Sequence, residues 1–274
     1  MRRILPQFQK LPTKPVCQSD IKCNRQPLAN KPWCSYHACN YRGRQTRRCK
    51  YIISPTSGFE PILDINKWNN NIFLKDSHNC FAYAIDTIDP EIIKECKLNA
   101  NCDVGFPQPG YESGYSSFSK QKDKGCGDMV SRLWGDNPMV QATRFETICP
   151  NGTSKIALIV DPSRDYHFLR QDKDGYWSHK PGSLAVKRVD ASDRPIIRPD
   201  KAIFLYNNKE DPLMYTDFCG YFCVPRGKSL HMSKIAKGGG IKKKRLSEPS
   251  VSHGSTDNRL RLQRYYQTRR LKRA

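Results

Sequence analysis

No stretch of this 274-residue sequence approaches the ~18 consecutive apolar residues needed to cross a bilayer, so a helical membrane span is not expected. The opening MRRILPQFQKLPTKP lacks the continuous apolar segment of a secretory signal, and an intracellular protein of cytoplasm or nucleus is expected. Hydrophobic residues make up only 37% of the chain, too few to build a core along its whole length. Acidic residues are nearly missing from both ends. Residues 1–51 hold 12 Lys and Arg against a single acid, Asp20, and residues 228–274 hold 14 against Glu248 and Asp257. Between them 21 basic residues balance 23 acidic ones, so the net charge of +21 belongs to the ends. That distribution excludes a nucleic-acid surface spread over the whole fold. It predicts three parts: a basic head over 1–51, a near-neutral core over 52–227 and a basic tail over 228–274.

Cysteine, by contrast, is plentiful, at 12 residues. Without an export signal these are expected to be thiols or metal ligands and not a disulfide framework. In the head, Cys17-x5-Cys23-x10-Cys34-x2-His37 offers the four sulfur and nitrogen ligands of a structural zinc site, in a segment too short to own a core. Cys39 is an alternative to His37 as the fourth ligand. The spacing resembles the small zinc-knuckle modules. Arg42, Arg44, Arg47, Arg48 and Lys50 beside it predict salt-sensitive, unspecific contact with polyanions or nucleic acid. The tail, with Lys242–Arg245 and a basic run to Ala274, has too few apolar residues to fold alone. It reads as a largely extended docking arm for an acidic protein surface, DNA or anionic lipid.

In the core, Lys155–Val160 is short, apolar and β-branched, as a buried strand should be. The stretch after it, DYHFLRQDKDGYWSHKPG, reads as two arms of a hairpin joined through Asp174-Gly175 and carrying His167 and His179. Upstream, Ser77-His78-Asn79-Cys80 opens a helix that Asn79 or Ser77 caps. A cysteine in a first helical turn has free backbone N–H groups and the positive end of the macrodipole beside it, which favour its thiolate. Together these residues predict a cysteine hydrolase: Cys80 as nucleophile, His167 as general base, and His179 orienting the far ring nitrogen of His167, with Asp190 as the alternative orienting group. The competing reading of the same residues is an inert buried thiol and a pair of satisfied hairpin histidines. Residues 52–76 read as an approach loop anchored by Trp68. Helices are expected from Pro90 through Cys96 and over 128–134, and a strand over 200–206. Cys96, Cys102, Cys126, Cys149, Cys219 and Cys223 are taken as packing thiols.

The strings NCFAYA, FPQPG, IALIVDPSRDYHFLRQDKDGYWSHKPG and VDASDRPIIRPD, which fall within residues 79–200, resemble the papain-like cysteine amidases and endopeptidases of the cell-wall hydrolase kind. The resemblance implies an α+β fold with a helix-borne Cys80 packed on an antiparallel sheet. It places His167 and His179 on successive strands and implies hydrolysis of a peptide or peptidoglycan-type amide, with no cofactor beyond the structural zinc. The long insertion between Cys80 and the first core strand departs from compact members. The same strings are similar to proteins of large DNA viruses. That likeness implies a virion component, and it yields the alternative function: a non-catalytic minor capsid protein docking on capsid or other virion proteins through its basic arms.

Overall fold

The computed structural model describes residues 6, 8–19, 22–38, 40–41, 44–45, 53–99, 102, 105–116, 125–207, 212–227 and 230–234. Cys39, Cys49 and the expected tail arm beyond residue 234 lie outside the described residues. The fold is α+β. Its centre is β5 (Thr153–Asp161), whose side chains are buried on both faces from Ser154 onward. On one side β5 pairs with β6 (Asp165–Gln171), which carries β7 (Trp177–Ser178) at its far edge. On the other it pairs with β10 (Asp217–Pro225), which also holds β4 (Gln141–Thr143) and β1 (Gln9–Lys10). Every one of these pairings is antiparallel. Two-stranded ribbons pair β2 (Asn40–Tyr41) with β3 (Arg44–Gln45), and β8 (Leu205–Tyr206) with β9 (Leu213–Met214).

The period-two alternation of β5 divides the core into two layers. Ile156, Leu158 and Val160 face a cluster closed by α3 (Cys80–Ala84) and α5 (Cys126–Asp136). Ala157 and Ile159 face a second cluster, closed by Ile196, Ala202, Phe204 and Tyr215. The hairpin expected around Asp174-Gly175 forms, with Gly175 at φ +84, a conformation open to glycine, and Gly175 N–H donating to Asp172 O at 2.8 Å. Residues 52–76 hold two short helices where a loop was expected: α1 (Ile65–Asn69) and α2 (Ile72–Ser77). Asp64 caps the first by accepting from Lys67 N–H, and Asn71 caps the second by accepting from Phe73 and Leu74 N–H. The asparagine run that looks like a loop is therefore a cap. Helix α4 (Pro90–Asn99) starts at Pro90 as expected and runs past Cys96. The strand expected over 200–206 is shortened, because Pro199 opens a 3-10 turn through Lys201 and only Leu205–Tyr206 is extended.

The cysteines require a larger correction. Cys96–Cys102, Cys126–Cys219 and Cys149–Cys223 are disulfides, not packing thiols. Two of them converge on β10, one fixing the start of α5 and the other fixing the loop before β5. The partners are 93 and 74 residues apart, so no local spacing announces them. Buried charge completes the scaffold. The Arg170 guanidinium lies over the Tyr83 ring at 4.0 Å and bonds Asp86 and Asp172. Lys180 Nζ donates to the backbone carbonyls of Lys75, His78 and Gly182, tying the end of α2 to the hairpin.

Candidate functional site

The chain presents two constellations of chemistry-bearing residues, the Cys80–histidine set in the core and the cysteine-rich knuckle in the head. Cys80 is the first residue of α3, behind the cap Asn79, whose side chain accepts from Ala82 N–H at 3.3 Å. Asn79 Nδ2 donates in turn to Pro107 O at 2.9 Å, which draws the inserted segment over the helix start. Gln108 then bridges to Ser233, so a second strand of chain lies on the first. Under this cover Cys80 is only 5% exposed. Burial pushes its thiol up to about 12, and hydrogen bonds from the Phe168 and Phe81 backbone do not offset that desolvation.

The histidines come together. His167 is the cross-strand partner of Ile159, and so turns to the face of the second cluster with Tyr215 at 5.5 Å between ring centroids. Its strand neighbours Tyr166 and Phe168 turn to the first cluster, which contains Cys80. His167 Nε2 lies 2.8 Å from His179 Nδ1, and His179 Nε2 lies 3.0 Å from Val189 O. A carbonyl only accepts, so His179 carries its proton on Nε2, its Nδ1 accepts, and His167 carries its proton on Nε2. Both rings are thus held neutral. Burial lowers His179 to about 4 and His167 well below its usual range. Asp190, the alternative orienting group, accepts instead from the N–H groups of Ser192, Arg194 and Ile203. His78 is buried too, with Nδ1–H toward Ser77 Oγ at 2.8 Å and Nε2 accepting from Asp89 N–H at 3.0 Å. The structure therefore brings His167 and His179 together and leaves Cys80 a buried thiol with a raised pKa in the first turn of α3.

The head forms a tighter site. One ligand atom from each of Cys17, Cys23, Cys34 and His37 lies within 4.8 Å of all the others, a cluster able to hold a metal ion. His37 Nδ1 is 3.3 Å from Cys17 Sγ and 3.4 Å from Cys34 Sγ, and Cys23 Sγ is 3.9 Å from Cys34 Sγ. Cys34 N–H donates to Cys17 Sγ at 3.2 Å, and burial nonetheless pushes the Cys17 thiol up to about 11. The knuckle is seated on the core by residues the sequence does not single out. Gln18 Oε1 accepts from Ile197 N–H at 2.9 Å and Arg198 N–H at 3.1 Å, and Lys201 Nζ donates to Cys23 O at 2.6 Å.

Comparison with known proteins places these features in context. No family model matches the chain, and no solved structure matches it. The protein "Insoluble matrix shell protein 1" of Ruditapes philippinarum is 36% identical over 153 residues, spanning 55% of this chain and 82% of that one. A shell matrix protein is neither a papain-like hydrolase nor a viral capsid protein. The hydrolase, thiol-protease, viral and capsid expectations are overturned by this relationship.

Proposed function

We propose, since this chain belongs to the family of insoluble matrix shell protein 1, that it is a non-catalytic structural component of an insoluble protein matrix. The observation that carries the reading is the shared sequence, which covers 82% of a protein named for that role. The interior agrees with it. On this reading Cys80, His167 and His179 serve as packing and hydrogen-bonding groups, and three disulfides suit service in an oxidising compartment outside the reducing cytosol.

In this reading the head cluster holds one structural zinc ion. Three sulfurs and one imidazole form the ligand set that zinc favours over harder cations. Tetrahedral bonds of about 2.3 Å to sulfur and about 2.0 Å to nitrogen put sulfurs about 3.8 Å apart and sulfur–nitrogen pairs about 3.5 Å apart. The observed 3.9 Å and 3.3–3.4 Å separations suit that geometry. All four ligands come from the chain, so the zinc has no open position for chemistry. The basic ends, with 12 and 14 Lys and Arg, supply attachment to polyanionic neighbours.

Retention on poly-aspartate resin tests attachment. The full chain should bind with a steep salt dependence, and a chain lacking residues 240–274 should elute at lower salt. Equal elution of the two would remove the docking role of the tail. Elemental analysis should find one zinc per chain, lost in Cys34→Ser.

A further inference from the structure

The N-terminal arm is strapped to the core at two places, and only one of them is a strand. The first strap is β1, which pairs antiparallel with β10 through Gln9↔Phe218 and Lys10↔Asp217. Leu11 N–H extends the ladder by donating to Thr216 O at 2.7 Å, and the Leu11 side chain is buried in the second cluster beside Phe218. Pro6 closes against Gly220, at φ +126, where any Cβ would lie 2.9 Å from the proline ring. The arm therefore covers the edge of β10 where a register shift interrupts the pairing with β5, between Phe218 and Gly220. Two paired residues are a short strand, and an uncovered edge presents free N–H and C=O groups to other chains.

The second strap is the knuckle. Five residues separate Leu11 from Cys17, and the next residue, Gln18, is 1% exposed and makes the two bonds to Ile197 and Arg198. Between Cys17 and Ala38 the buried apolar residues, among those described, are the small Cys17, Pro27, Pro32, Cys34 and Ala38. Such a segment has no apolar core to hold Gln18 and Cys23 in register with residues 197–201, and the ligand cluster has to do so. Lys201, whose ammonium meets Cys23 O, continues from the Ile196–Arg198 stretch that closes the second cluster.

From this continuity we infer that metal occupancy of the Cys17–Cys23–Cys34–His37 cluster controls whether the arm covers the β10 edge. Metal orders the knuckle, the knuckle fixes Gln18, and Gln18 holds β1 against β10. The inference rests on the zinc reading above and adds the strand as what the metal governs.

Hydrogen exchange of the full chain tests it, with metal content followed by native mass spectrometry. On removal of zinc with EDTA, exchange in residues 9–11 and 216–220 should rise roughly tenfold or more, while residues 156–160 stay protected. Gln18→Ala keeps all four ligands, so it should retain zinc yet show faster exchange in the same two stretches. Loss of zinc with unchanged exchange at 9–11 and 216–220 would overturn the inference and leave the zinc site standing. A native chain that carries no zinc and takes up none would sink both.

Discussion

The head and the sheet core hold themselves together by different means. In the core, Phe81, Met129, Leu133, Ile156, Leu158 and Phe168 fill one layer, and Leu169, Trp177, Phe204 and Phe218 the other. Each fully buried side chain of this size contributes ~1.5–3 kcal/mol, and the disulfides act on top of that. The knuckle has no comparable residues: among those described, its buried set is Cys17, Gln18, Ser19, Pro27, Pro32, Cys34 and Ala38. The contrast teaches where each region is vulnerable: the core to reduction and to acid, and the head, on the zinc reading proposed above, to chelation.

The sharpest way to break the contrast is through the cross-links. Cys126–Cys219 spans 93 residues and Cys96–Cys102 spans six. A chain-entropy argument gives about 4–5 kcal/mol for the long loop and about 2 kcal/mol for the short one. Replacing Cys126 and Cys219 together by alanine should lower the urea midpoint far more than replacing Cys96 and Cys102. Similar shifts for both pairs would show that the staples do not act by restricting the unfolded core.

Acid should come next in size. His78 and His179 are each lowered by burial from 6.5 to about 4. The unfolded chain therefore binds protons between those values that the folded chain refuses. Their contribution is fully present above pH 6.5 and is lost as pH falls toward 4, at ~3 kcal/mol per ring. Unfolding followed by the fluorescence of buried Trp177 at pH 7, 5.5 and 4.5 measures the slope. His179→Gln can still donate to Val189 O and accept from His167 but cannot titrate, so its slope should be shallower by one histidine's share. An unchanged slope would move the proton uptake to other groups.

The same contrast decides how much was legible beforehand. Strand β5, the hairpin with its glycine turn, the cap at Asn79 and the grouping of Cys17, Cys23, Cys34 and His37 are local patterns, and each stands in the structure where the sequence puts it. The disulfides are not local, because their partners meet only once β10 lies beside β5. The face occupied by His167 was readable in principle. Alternation along Tyr166-His167-Phe168 gives the histidine and its aromatic neighbours opposite sides, and Phe168 is the residue that meets Phe81 of the Cys80 helix at 5.3 Å. A helix-start cysteine and two histidines twelve apart have the composition of a catalytic site, and composition alone does not fix which face each side chain takes. Gln18 carries no signal at all beyond following a ligand.

The smallest expected effect falls on the residue that looks most important in the sequence. Cys80→Ala removes one buried sulfur and leaves the cap, the hairpin and the histidine pair intact. It should cost about 1 kcal/mol, at the low end for a core truncation. The native thiol, raised to about 12, is almost wholly protonated at pH 8 and lies beneath inserted chain. Iodoacetamide should therefore label it far more slowly in the native protein than after denaturation. A nucleophile would behave in the opposite way, alkylating faster in the folded chain than a free thiol and losing an activity on substitution. Slow labelling together with a small stability change would make Cys80 a packing residue of the α3 face. Fast labelling in the native state would require the 107–111 and 230–234 segments to open as a unit, and would break the division between a closed core and a dissociable head.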